Sequence, residues 1–156
     1  MEMRYLILVV SLLCLSCGPT PIFEQTYEIE NSSWSYDDNK QFSFVSPDST
    51  NKFDLILDVL HSEDYAYENL YIQLTTSFPN QEQVKDEISI PLIQDDGHWV
   101  GKGSSEKQVR VYLQQALRFK QIGEHTISLR QHSRDEELNG IKTVRLAIYP
   151  FIKEKN

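Results

Sequence analysis

Beyond residue 20 the chain alternates apolar and polar side chains in short runs. Lys52–Leu60 places Phe53, Leu55, Leu57 and Val59 on one face. Asn69–Thr76 does the same with Leu70, Ile72 and Leu74, leaving Tyr71, Gln73 and Thr75 opposite. Lys107–Leu113 alternates through Val109, Val111 and Leu113, and Glu124–Arg130 and Lys142–Ile148 repeat the scheme. A period of two sends successive side chains to opposite faces, so each run predicts a half-buried strand of an antiparallel sheet. Shorter strands are predicted at Gln25–Ile29, Gln41–Val45, Val84–Ile90 and His98–Lys102. Turn residues separate the runs: Pro47-Asp48, Pro79-Asn80, Asp95-Asp96-Gly97 as a hairpin, Gly123, and Asn139-Gly140 before the last strand. Gln114–Phe119 breaks the alternation and reads as one helical turn or a loop. Eight or nine short strands at even spacing predict an all-β domain, an antiparallel two-sheet β-sandwich that is either Ig-like or a jelly-roll.

The first residues follow a different pattern. Arg4 precedes the apolar run Leu6–Leu15, and the small Ser16 then leads to Cys17. A basic start, an apolar middle and a small residue at a cut site form a secretory signal. At about ten residues the apolar run is too short to span a bilayer, which takes about twenty. A cut just before a cysteine makes it a bacterial lipoprotein signal, in which the Cys17 thiol becomes a thioether to diacylglycerol and its amine is acylated. The consensus places Leu three residues before the cysteine. Here those places hold Cys14, Leu15 and Ser16, so the Leu is displaced by one. Cys14 is the poorer acceptor because bulky Leu13 precedes it. An ordinary cleaved signal and a buried N-terminal strand are the competing readings. Gly18-Pro19-Thr20-Pro21 resists packing and suits a tether. The expected organisation is therefore a signal peptide at 1–16, a lipidated tether at 17–21 and a single β-sandwich at 22–156.

Charge and cysteine count narrow the chemistry. The net charge is −8, which repels phosphate backbones and makes nucleic acid an unsuitable partner. It also repels anionic headgroups, so the lipid rather than the protein surface is expected to hold the membrane. Both cysteines lie at the signal end, leaving the mature domain no disulfide and no thiolate. Gly18 is not an inner-membrane retention residue, and no acidic run follows Cys17 as a surface-export tag requires. An outer-membrane anchor with the domain facing the periplasm is expected.

Candidate chemistry elsewhere is sparse. His61, His98, His125 and His132 lack the close spacing of a helical metal site, and His125 falls at the end of an apolar face, near the rim. Asp37-Asp38, Glu63-Asp64, Asp86-Glu87, Asp95-Asp96 and Asp135-Glu136-Glu137 read as solvated turns or edges, where a loop calcium site is the only metal use with the right ligands. Ser43, Ser77, Ser104 and Ser105 lack a nucleophile elbow. Gly101-Lys102-Gly103-Ser104 lacks the first glycine of a phosphate loop and reads as a strand end. Asp48-Ser49-Thr50 matches a short O-glycosylation pattern at Ser49. No catalytic residue, cofactor, metal or small-molecule ligand is expected. Trp34, Tyr36, Tyr65, Tyr67, Tyr71 and Trp99 are core and edge packing or a sugar-stacking surface.

Several ordered stretches share one source. They are Trp34–Asp38, His61–Leu70 with its Asp-Tyr-x-Tyr-x-Asn-Leu order, Thr75–Asn80 with Thr-Thr-x-Phe-Pro-Asn, and Asp96–Gly103 with Asp-Gly-x-Trp-x-Gly-Lys-Gly, followed by Phe119, Gly123 and Leu138–Ile141. The chain resembles the gliding motility lipoprotein GldH family of the Bacteroidetes. The resemblance implies an envelope lipoprotein of the gliding machinery, and of associated secretion, without enzymatic activity. It carries over no catalytic residue and transfers only Cys17, as the acylated position. A glycan-binding β-sandwich lipoprotein is the alternative; a lipoprotein hydrolase would need carboxylates or histidines converging in one pocket.

Overall fold

The computed structural model describes residues 19–46 and 50–152. These residues hold ten strands and, apart from one 3-10 turn at Glu30–Ser32, no helix. The strands are β1 (Phe23–Glu28), β2 (Ser33–Ser35), β3 (Lys40–Val45), β4 (Phe53–Ser62), β5 (Asn69–Ser77), β6 (Gln83–Pro91), β7 (Glu106–Leu117), β8 (Glu124–Gln131), β9 (Glu137–Asn139) and β10 (Ile141–Pro150). Two four-stranded antiparallel sheets have the orders β1-β10-β4-β7 and β3-β8-β5-β6, and β2 and β9 form a small ribbon. Leaving that ribbon aside, the first long strand pairs with the last, the second with the seventh, the third with the sixth and the fourth with the fifth. Such nested pairing is a long antiparallel ribbon folded over on itself, which is a jelly roll and not an Ig-like order.

The alternation in the sequence becomes the core. Phe53, Leu55, Leu57 and Val59 of β4 are buried, as are Leu70, Ile72 and Leu74 of β5 and Val144, Leu146 and Ile148 of β10. One long side of the sandwich is closed by rings bridging the edge strands β1 and β3. Phe23 lies 5.3 Å from Phe44, Tyr27 stands edge-on to Phe42 at 5.1 Å, and the Tyr27 hydroxyl donates to the Gln41 carbonyl at 2.6 Å. Trp34 and Leu138, paired across the β2–β9 ribbon, are fully buried and plug one end of the barrel-like core.

The outer face of the β1-β10-β4-β7 sheet carries a buried charge. Register places Arg145, Asp58 and Arg110 side by side on three adjacent strands. The Asp58 carboxylate accepts from Arg110 Nε at 2.7 Å and Nη2 at 2.9 Å, and from Arg145 Nη1 at 2.6 Å. Arg145 also donates to Glu24 and to the Tyr149 hydroxyl. Burial works against the Arg145 charge, but its hydrogen bonds to Tyr149, Glu24 and Asp58 outweigh that cost and raise its pKa. The two guanidinium groups cover the aspartate, so a strand position facing away from the core is still closed to water.

Two sequence expectations are corrected. His98–Lys102 is not a strand. The chain turns at Gln94–Gly97, closed by a bond from the Gly97 N–H to the Gln94 carbonyl at 2.9 Å. Beyond the turn it makes only isolated bridges, Ile93 with Trp99 and Lys102 with Gln108. The cause is the Gly-Lys-Gly motif. Gly101 and Gly103 have φ of 107° and 129°, and a Cβ on them would sit 2.5 Å from the Gln108 carbonyl oxygen and 1.9 Å from that of Glu106. Glycine is required there because the chain folds flat against the start of β7 in a backbone shape that L side chains avoid. Gln114–Leu117 is neither helix nor loop but the end of β7. Its pairing with β4 shifts register twice, between Phe53 and Leu55 and between Leu55 and Ile56. Each bulge inserts a residue and flips the parity, which erases the period of two in the sequence.

Candidate functional site

Cys17 and Ser49 both lie outside the described residues. The chain first comes into view at Pro19, which lines a shallow groove with Tyr112, Tyr149, Pro150 and Ile152. The Ile22 N–H already donates to the Ile148 carbonyl at 2.8 Å. This proximal end of the sandwich also gathers the ends of β3, β5 and β7 and the starts of β4, β6 and β8, as the strand registers require.

Between the sheets at the proximal end, opening between β6 and β7, is a cleft of about 850 Å³. The bulges in β7 open it. Val84 and Asp86 occupy the inward-facing parity of β6, opposite Thr76 and Leu74, yet both are exposed because β7 does not close over them. The bulge is pinned: the Ala116 N–H, at a φ of 53°, donates to Asp54 Oδ1 at 2.9 Å. The cleft floor is aromatic. Phe119, which is 5% exposed, lies 5.5 Å from Phe53, 5.7 Å from Phe44 and 5.2 Å from His125, while His125 stacks on Phe44 at 5.6 Å and stands edge-on to Phe78 at 5.9 Å. His125 Nδ1 bonds the Gly123 carbonyl at 3.1 Å, and Ser46 Oγ is held by the Gln121 carbonyl and the Gly123 N–H at 3.1 Å each, fixing the Arg118–Gly123 loop over the floor. Lys52, Glu82, Asp86, Arg118 and Lys120 line it with charges of both signs. The arrangement suits an apolar ligand or segment with a polar edge.

The distal end holds the remaining aromatics. Trp34 is fully buried and donates Nε1–H to the Asp38 carbonyl at 2.8 Å. Tyr65, 4% exposed, packs against His61 at 5.8 Å and Tyr67 at 5.8 Å, and Trp99 lies 4.9 Å from His61. Burial first, with Tyr67 and Asp135 adding, pushes the Tyr65 phenol well above its usual pKa. Of the residues named for sugar stacking, Trp34 and Tyr65 belong to the core, while Tyr67 and Tyr71 are exposed. Gln131 latches the neighbouring turn: its Nε2 donates to the Asp135 carbonyl at 2.8 Å and its Oε1 accepts the Ser133 N–H at 2.7 Å. Tyr67 donates its hydroxyl to Asp135.

The four histidines are not brought together, and no group of three or more His, Cys, Asp or Glu that could hold a metal forms among the described residues. His61 is fully buried. Its Nδ1–H donates to the Ser62 carbonyl at 2.9 Å, and Nε2 has no partner. Burial, aided by Lys107 and opposed by the Ser62 bond, holds its pKa below 6.5. The unfolded chain therefore binds a proton that the folded chain refuses. The stability contributed by neutral His61 is present above pH 6.5 and is lost as pH falls toward the lower folded value. In thermal melts between about pH 8 and about pH 5, His61→Phe should lose less stability below pH 6.5 than the wild type; equal losses would show that His61 does not carry this dependence.

The GldH lipoprotein family model matches residues 21–148, covering every long strand except the last two residues of β10. The chain belongs to the GldH lipoprotein family. A gliding motility lipoprotein GldH homolog of Christiangramia forsetii is 25% identical over 145 residues, 88% of each chain. The gliding motility lipoprotein GldH of Flavobacterium johnsoniae is 24% identical over 151 residues, 92% of this chain and 93% of the relative. Among solved structures, a family 35 carbohydrate-binding module from an environmental isolate aligns over 88% of this chain and 84% of its own, at 14% identity and a TM-score of 0.36. A likeness that distant carries no argument about this GldH lipoprotein.

The family motifs can now be read physically. Asp-Tyr-x-Tyr supplies the buried Tyr65 and the Asp135-bonded Tyr67, and Gly-Lys-Gly permits the close approach to β7. The cleft was missed in the sequence because its lining comes from six strands and three loops, and the one motif among them, Thr-Thr-x-Phe-Pro-Asn, supplies Thr76 and Phe78 without marking a cavity. The one local signal was the loss of alternation after Leu113, which marks the bulges.

Proposed function

We propose that this chain is an outer-membrane lipoprotein, cut before Cys17 and held by acyl groups there, with the sandwich facing the periplasm. It serves the gliding motility machinery and its associated secretion as a non-enzymatic accessory component, through protein contacts. The observation that carries this is the family match across residues 21–148, most of the sandwich. The geometry supports it in two ways. Ile22 already pairs with Ile148, so the free segment after an acylated Cys17 is no longer than Cys17–Pro21. A cleft of about 850 Å³ lies at a sheet edge that a partner segment can reach. The glycan-binding alternative has weaker support, because Trp34 and Tyr65 are used up in packing.

Affinity capture from crosslinked envelopes should recover motility or secretion proteins, and a deletion strain should fail to spread. Recovery of none of these, with normal spreading, would overturn the proposal. Protease treatment of intact cells should leave the domain uncut; digestion would place it on the outer surface instead.

A further inference from the structure

The exposed apolar side chains are not scattered. Of the eight large ones among the described residues, Ile22, Val45, Val84, Tyr112, Ile122 and Ile152 lie in the proximal half of the sandwich, and only Tyr67 and Tyr71 lie toward the distal end. Ile122 and Ile152 are 66% and 64% exposed, at loop positions beyond the strand ends. Charge is divided the opposite way. Asp37, Glu63, Asp64, Asp95, Asp96 and Glu136 are exposed at the distal end. At the proximal end Lys52, Lys85, Arg118 and Lys120 offset Asp54, Glu82, Asp86 and Glu124. Pro19 and Ile152 both lie at this apolar, near-neutral end. Pro19 sits in the groove with Tyr112 and Ile152, and only Gly18 separates it from Cys17, a reach of about 7 Å over two Cα steps.

We infer that the proximal end seats directly on the bilayer surface, with Ile122 and Ile152 entering the interface and Tyr112 lying at the headgroup level, rather than swinging free on a tether. This rests on the proposed acylation of Cys17. Given that anchor, the single-residue link through Gly18 to Pro19 keeps this end within reach of the headgroups. Aliphatic tips gain by leaving water there, and a tyrosine suits the boundary with its apolar ring and polar hydroxyl. The acidic distal end is turned away from anionic lipid, so the net charge of −8 does not oppose the docking. The docked pose also holds the cleft between β6 and β7 close to the membrane, at a fixed height.

The test uses the full chain, purified with its acyl groups and reconstituted in phosphatidylethanolamine–phosphatidylglycerol vesicles that carry a lipid-phase quencher. The mature chain has no thiol besides Cys17, so single substitutions Ile122→Cys, Ile152→Cys, Asp64→Cys and Asp96→Cys can each be labelled cleanly with an environment-sensitive fluorophore. The two ends are about 33 Å apart, from ten-residue strands rising about 3.3 Å per residue. Labels at positions 122 and 152 should be quenched and blue-shifted, and those at 64 and 96 should match the protein in detergent-free buffer. Equal quenching at both ends, on protein whose mass shows the acyl groups, would overturn the docked pose alone. A mass without acyl groups would overturn the anchoring as well.

Discussion

A Cys17→Ala chain is expected to lose its membrane association. Acylation of the proposed kind supplies a diacylglycerol thioether and an acylated amine. Each buried methylene contributes about 0.8 kcal/mol, and while one myristoyl chain binds only marginally, two or more chains anchor stably. The protein surface offers no substitute of that size: it carries a net charge of −8, and no helix among the described residues is long and apolar enough to cross a membrane. The variant should take up no labelled palmitate and should move out of the detergent phase in a Triton X-114 separation. Label retained by the variant would mean that Cys17 is not the acylated residue. Loss of label with normal spreading would separate anchoring from motility.

Phe119→Ala is expected to destabilise the domain strongly. Phe119 comes from the loop after β7, yet it is 5% exposed and touches Phe44, Phe53 and His125, which belong to both sheets. Truncation of a buried phenylalanine costs about 3–5 kcal/mol, through lost transfer energy and the void left behind. For a domain of this size that lowers the melting midpoint by roughly 10 °C or more. The void would open into the existing cleft, so water can enter and the cost should fall toward the low end of that range. Ile122→Ala, three residues along and 66% exposed, should change stability by no more than about 0.5 kcal/mol. Urea unfolding of the two variants beside the wild type decides the matter; a small loss for Phe119→Ala would mean that this loop is not part of the core.

Much of the fold was legible because strands with one buried face write themselves as alternation. The five long runs correspond to β4, β5, β7, β8 and β10. What could not be read was the order of pairing, because Phe23 meeting Ile148 and Val45 meeting Glu124 depends on contacts between distant segments that carry no local code. β7 shows the second limit. Once Leu113 is displaced by a bulge, Gln114 takes the position opposite Leu55, and a polar residue in an inward register looks like the end of a strand. Asp58 shows a third. Its place in the sequence reads as a solvated outer face, and only the neighbouring strands bring the two arginines that bury it.

The position of β10 sets when this protein can become folded. It is the last strand made, yet it lies inside its sheet, between β1 and β4, and supplies the partner for each of them. Until residues 141–150 have arrived, β1 has no sheet to join and the inner face of β4 lacks Leu146 and Ile148 against it. Pairings so far apart along the chain are slow to close. On the proposed route of export, the polypeptide would therefore cross the inner membrane as an open chain, with its first strand exposed until the last one is delivered. A chaperone that shields Phe23–Glu28 in that interval has a defined task, and a chain truncated before Ile141 has no route to the native state.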